Sequence, residues 1–153
     1  MKSDNVFNVK NLNNEYEFLF NSLISISRLS SSEFWSLYLI NEGINTQSKI
    51  CKELYLPKQT VHSAIKSLIH KKLIQVKYDL SNLRTKKYTL TNLCKDFVRD
   101  FFSGLNDIET EIVNDMTKSK LDELKNLFKQ FNELIQIKIK KLINKHKKKG
   151  SEI

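Results

Sequence analysis

Between Thr46 and Thr91 the apolar spacing is helical, breaks, becomes helical again, and then alternates; few folds accept that order. Asn45 or Thr46 stands where a helix cap is expected, and Ile50 and Leu54 face inward four residues apart. Tyr55-Leu56 reads as a turn. Pro57 suits the first position of the following helix, where its missing N–H costs nothing. In that helix Val61, Ile65 and Leu68, with Ala64 and Ile69, form the inward stripe, and Lys58, Gln59, His62, Ser63 and Lys66 take the other side. Leu73-Ile74-Gln75-Val76-Lys77 reads as a strand, Asp79-Leu80-Ser81-Asn82 as a turn, and Lys86-Lys87-Tyr88-Thr89-Leu90 as the returning strand. The segment is therefore expected to be a helix–turn–helix followed by a two-stranded hairpin.

Charge gives this segment a purpose. It holds ten basic residues against two acids, Glu53 and Asp79, a net +8 out of the chain's +9. Residues 1–45 carry three bases and five acids, and residues 92–153 thirteen bases and ten acids. A basic helix–turn–helix backed by a basic hairpin is what contact with a DNA duplex demands. The outward face of the second helix contains no acid. Gln59 suits adenine, Lys58 and Lys66 suit guanine or phosphate, Thr60 and Ser63 suit either, and His62 reads as a groove or phosphate contact. The candidate DNA-contacting set is Thr46, Gln47, Lys58, Gln59, Thr60, His62, Ser63, Lys66, Arg84, Lys86 and Lys87. A solvated basic helix face is the competing reading, and Pro57, the turn and the hairpin tell against it.

The flanks are expected to be helical, because the chain has only three glycines and one proline. From Leu12 the apolar spacing is close to helical, and Ser30-Ser31-Ser32 ends that helix and caps the next, with Glu33 in its first turn. Gly43 is the expected C-cap. Thr91 or Asn92 opens a helix to about Met116. A last helix from about Ser119 to Lys149 is ~45 Å long at 1.5 Å per residue. Its apolar stripe is too long for a small domain to cover, so a second subunit is the expected cover, making a homodimer. The run Lys145-His146-Lys147-Lys148-Lys149 reads as a solvated helix end. Cys51 and Cys94 lack CxxC spacing, and the three histidines form no metal-ligand spacing with them. No nucleophile–base pair or phosphate-binding glycine loop stands out, so no enzyme activity, metal or cofactor is expected. No apolar run approaches the ~20 residues that span a bilayer, and the first sixteen residues hold no signal-peptide core. The expected location is the cytoplasm, with no membrane partner.

Three segments resemble the MarR family of bacterial winged-helix regulators. They are Leu54-Tyr55-Leu56-Pro57-Lys58-Gln59-Thr60-Val61 with Ala64-Ile65 and Leu68, then His70-Lys71-Lys72-Leu73-Ile74, then Arg84-Thr85-Lys86-Lys87-Tyr88-Thr89-Leu90-Thr91. The likeness covers the chain in element order and residues 46–94 at the level of motifs. It departs at Asn82, Lys72 and Cys94, where the family usually has Asp, Gly and Gly. If Lys72 is left-handed, a residue other than Gly strains it.

The resemblance implies a mainly α fold: a winged helix–turn–helix with a two-stranded wing and long N- and C-terminal dimerisation helices. The implied parts are a dimerisation helix in 1–32, a DNA-binding lobe in 33–91, long helices completing the dimerisation region in 92–149, and a tail in 150–153. It places Arg84 in a minor groove and Lys86 and Lys87 near phosphates. It implies a homodimeric repressor of transcription on a pseudo-palindromic operator in double-stranded DNA. It also implies a small aromatic or anionic effector held by Tyr16, Phe20, Trp35 and Tyr38, for which core packing is the competing reading. The alternatives for the chain are a winged-helix protein-interaction module and a replication-initiator-type DNA-binding protein.

Overall fold

The computed structural model describes residues 6–79 and 82–150. The elements run α1 (Val6–Ile26), α2 (Ser31–Asn41), α3 (Gln47–Leu54), α4 (Lys58–His70), β1 (Ile74–Asp79), β2 (Asn82–Leu90), α5 (Asn92–Met116) and α6 (Lys118–Gly150). This is the mainly helical order with a two-stranded wing expected from the sequence. The chain falls into two compact units, residues 1–104 and 105–153.

Helix ends in the first unit follow local chemistry. Ser30 caps α2 through a reciprocal box: its Oγ accepts from the Glu33 backbone N–H, and the Glu33 carboxylate accepts from the Ser30 N–H at 2.7 Å. Gly43 closes the same helix at φ 85°, with Ile44 N–H donating to Leu39 O at 2.8 Å. Tyr55 ends α3 in the same left-handed way at φ 53°, and Leu56 N–H donates to Cys51 O. Lys72 ends α4 at φ 58°, with Leu73 N–H donating to Leu68 O and Lys72 N–H to Ile69 O. The left-handed conformation at Lys72 is thus occupied by a residue with a Cβ, and the expected strain is present.

Pro57 precedes α4 rather than opening it. Its ψ of 145° is extended, and its carbonyl accepts from Val61 N–H, so it is the N-cap. In α4, Val61, Ala64, Ile65 and Leu68 are buried beside Ile50 of α3 and Phe34, Leu37 and Ile40 of α2. Ile69, expected inside, is 38 % exposed. It lies at the edge of the inward stripe, where with Ile65 it lines a cleft toward Val76 of β1.

The wing is longer than its β-branched residues suggest. β1 and β2 pair antiparallel from Ile74 opposite Leu90 to Tyr78 opposite Lys86, then shift register so that Asp79 meets Asn82. Asp79 and Asn82, expected in the turn, therefore belong to the strands, and Arg84 lies in β2. Leu80 and Ser81 of the expected turn lie outside the described residues. Two bonds fix the wing to the lobe: Tyr88 N–H donates to Asn45 O at 2.8 Å, and Thr91 Oγ1 donates to Lys72 O at 2.6 Å. Thr91 also caps α5, accepting from Cys94 N–H.

An aromatic cluster ties α2 to the first half of α5. Phe34 lies edge-on to Phe101 and Phe102 at 5.4 Å, and Tyr38 edge-on to Phe102 at 5.3 Å. In the second unit, Ile108, Ile112, Val113 and Met116 of α5 are exposed, as are Leu124, Leu127, Phe128, Leu134, Ile137, Ile139, Leu142 and Ile143 of α6. Much of the α1 stripe is exposed too, including Leu12, Tyr16 and Leu19. No described helix is long and apolar enough to cross a membrane.

Candidate nucleic-acid interface

The outward face of α4 follows from the burial of the inward one. With Val61, Ala64, Ile65 and Leu68 committed to the core, a 3.6-residue period leaves Lys58, Gln59, Thr60, His62, Ser63 and Lys66 outside, and all six are exposed. The face presents donors and acceptors and no carboxylate. Gln47 braces its start: the Nε2 donates to Lys58 O at 3.1 Å, joining the first turn of α3 to the first turn of α4.

Two clefts connect this face to the wing. One, of about 490 Å³, is lined by Thr46, Gln47, Ser48, Cys51, Lys58, Thr85, Lys86 and Tyr88. The other, of about 330 Å³, is lined by His62, Ile65, Lys66, Ile69, Val76, Lys86 and Tyr88. Lys86 belongs to both, so one wing lysine stands between the start of α4 and its middle. Among the expected contacts, Thr46, Gln47, Lys58, His62, Lys66 and Lys86 are therefore brought together, whereas Gln59, Thr60 and Ser63 stand on the open face of α4 outside both clefts. Lys87 is half-buried and, one residue along the strand from Lys86, points to the other side of the hairpin. The backbone of Arg84 lies in β2, but its side chain is outside the described residues.

Three features escaped sequence reasoning. Ser48 and Thr85 line the first cleft, and only their adjacency to Gln47 and Lys86 could have signalled it. The third is an ion pair behind the face: Lys71 Nζ sits 2.7 Å from Glu33 Oε1, joining the exit of α4 to the capping box of α2. Burial pushes the Glu33 carboxyl up, but hydrogen bonds from Lys71, Ser67 and Ser30 outweigh it and hold its pKa at about 2, below the ordinary 4.5. The pair ties down α4 at its C-terminal end as Gln47 does at its start.

The cysteines differ. Cys94 is fully buried, and burial pushes its thiol up to about 11, so it is not a thiolate at neutral pH. Cys51, read from the sequence as a buried small hydrophobe, is half-buried at the edge of the larger cleft. Among the described residues no three His, Cys, Asp or Glu side chains converge as a metal site would require.

A third pocket, of about 330 Å³, lies over the end of α3. It is lined by Tyr16, Glu17, Phe20, Ser31, Ser32, Trp35, Glu53, Leu54 and Leu56. It collects three of the four aromatic residues expected at an effector site. Tyr38 is not among them, because its ring is drawn to Phe102 and touches Trp35 edge-on at 5.7 Å.

No protein-family model matches the chain, and no curated protein does. The likeness lies in solved structures. A MarR family regulator from Neisseria meningitidis superposes with a TM-score of 0.78 at 22 % identity, over 89 % of this chain and 96 % of that one. Bordetella bronchiseptica BpsR, whose DNA binding is regulated by 6-hydroxynicotinic acid, superposes with a TM-score of 0.68 at 18 % identity, over 86 % and 96 %. A Staphylococcus aureus MepR variant bound to an oligodeoxyribonucleotide gives 0.53 at 22 % identity, over 84 % and 96 %. The chain has the winged-helix fold of MarR family regulators.

Proposed function

We propose that this chain is a sequence-specific double-stranded DNA-binding transcription regulator that works as a homodimeric repressor in the bacterial cytoplasm. The observation that carries the reading is the exposed, acid-free face of α4 with Lys86 of the wing beside it. Each α4 enters a major groove, and each wing follows the adjacent minor groove with Arg84. The backbone is held by Lys58, Lys66, Lys86 and Lys87, while Gln59, Thr60, His62 and Ser63 meet base edges or phosphates, and Thr46 and Gln47 approach the backbone from the start of α3. The uncovered apolar positions of α5 and α6, with Leu12 and Leu19 of α1, supply the dimer contact, and the dimer competes with polymerase for the promoter. A small aromatic effector relieves repression from the pocket formed by Tyr16, Phe20 and Trp35. Neither catalysis nor a cofactor enters this scheme.

The fold's solved relatives support the reading, since one is bound to an oligodeoxyribonucleotide and another has its DNA binding regulated by a small molecule. The test is a duplex-binding titration at rising salt. With six or more phosphates neutralised per dimer, affinity should fall by roughly 10³ between 50 and 200 mM salt. A flat salt response would refute a phosphate-dominated interface.

A further inference from the structure

The pocket over the end of α3 has a charge that the reading above leaves open. Tyr16 and Phe20 of α1 stack toward Trp35 of α2, with ring centroids 4.6 Å apart for the first pair and 5.9 Å for the second. Among the described residues, the charged side chains lining the pocket are Glu17 from α1 and Glu53 from α3, with no Lys, Arg or His. Both carboxylates are exposed, and among the described residues neither is in an ion pair; the pairs formed there are Glu33 with Lys71 and Arg99 with Asp96 and Asp100. Three aromatic rings thus stand beside two carboxylates that are in no ion pair, in a chain whose net charge is +9.

We propose that this pocket binds an aromatic organic cation, a one- or two-ring body bearing an ammonium group. The inference rests on the effector role assigned above and fixes the ligand's charge. An aryl body gains contact with the three rings, and an ammonium is attracted both to ring faces and to the two carboxylates. An anion, which the family resemblance implies, meets like charge from Glu17 and Glu53 and the negative faces of the rings. The volume of about 330 Å³ is at the lower end for small-molecule sites and suits a ligand of that size. The position also suits regulation. Glu53 and Leu54 form the last turn of α3, and Leu56 leads into Pro57, the cap of α4. A ligand bridging Glu17 and Glu53 ties α1 to the segment that orients the recognition helix. It shifts DNA affinity to the extent that it favours one placement of that segment.

Trp35 is the chain's one tryptophan, so its emission reports the pocket directly. The full-length, DNA-free protein is titrated with benzyltrimethylammonium and, separately, with benzoate, one-ring probes of opposite charge. The cation should change Trp35 emission saturably, and benzoate should not at the same concentrations. The double variant Glu17→Gln/Glu53→Gln, with its helical circular dichroism intact, should weaken the cation roughly tenfold. Benzoate binding as tightly as the cation, no saturable response to the cation, or unchanged affinity in the double variant would each overturn the proposal. The titration contains no DNA, so these outcomes are independent of the duplex-binding result that decides the regulator reading.

Discussion

Lys66 and Lys86 show most plainly how a side chain acquires a role here. Each is exposed, they line one cleft from two different elements, and among the described residues no acid shares that cleft. Lys66→Ala and Lys86→Ala should each weaken duplex binding about uniformly across sequences and lower the salt slope by roughly 0.9. Unchanged affinity for both at moderate salt would remove this face from the interface. Glu33 makes a prediction about stability instead. Its folded pKa of about 2 lies below the ordinary 4.5, so the fold favours the carboxylate. The stabilisation is complete above about pH 4.5 and is lost as pH falls toward 2. Lys71→Met should therefore lower the unfolding free energy measured in urea at neutral pH by roughly 1 kcal/mol, since its side chain is partly solvated, and the gap to the parent should close on acidification. A gap that stays constant with pH would contradict the pairing. The polar face of α4 was legible because a 3.6-residue period with four inward apolar positions leaves nothing else to face water. The Glu33–Lys71 pair was not, because its partners are 38 residues apart and each has an adequate local role. Glu33 alone reads as a first-turn acid, and Lys71 as one more base in a basic stretch.

Helix ends were legible wherever one residue carries the chemistry of the cap. Ser30 with Glu33, Gly43 and Thr91 all act as their types suggest. Strand ends were not. The ladder carries Asn82 and Arg84, which have no β-branched signal, because cross-strand hydrogen bonding decides a hairpin's length. Lys72 is the informative mismatch: its backbone is left-handed at φ 58° and closes α4 without glycine. Lys72→Gly should raise stability by ~0.5–1 kcal/mol, the relief of Cβ strain less the added entropy of the unfolded chain. A lowered urea midpoint would show that the Lys72 side chain contributes contacts that outweigh the strain. The long C-terminal helix is a different case, since its periodicity was clear and its cover was not. Leu127 is 57 % exposed and Leu134 58 %, and so much uncovered leucine is unusual for a lone chain in water. Sedimentation at micromolar concentration should give a dimer, and Leu127→Glu/Leu134→Glu should shift it to monomer with the far-ultraviolet spectrum retained. A parent protein that sediments as a monomer would remove the homodimer.

The proposed function needs two lobes on one duplex. The +8 segment from Thr46 to Thr91 supplies a face suited to one half-site, and the uncovered apolar helices supply a reason for two such faces to act together. On the proposed homodimer, a two-fold pair of α4 helices would read a pseudo-palindrome, with half-sites about one turn, ~10 bp, apart. On that proposal, the clefts that join α4 to Lys86 would give each half-site a major-groove and a wing contact. A winged-helix module for protein docking would not need an acid-free α4 face, and a replication initiator would not need a two-fold site. In vitro selection of duplexes from a random pool by the full-length protein separates these outcomes. Enrichment of a single pseudo-palindromic site with half-sites ~10 bp apart is the expected result. Recovery of no enriched sequence, or of a site without two-fold symmetry, would contradict a dimeric reader of DNA.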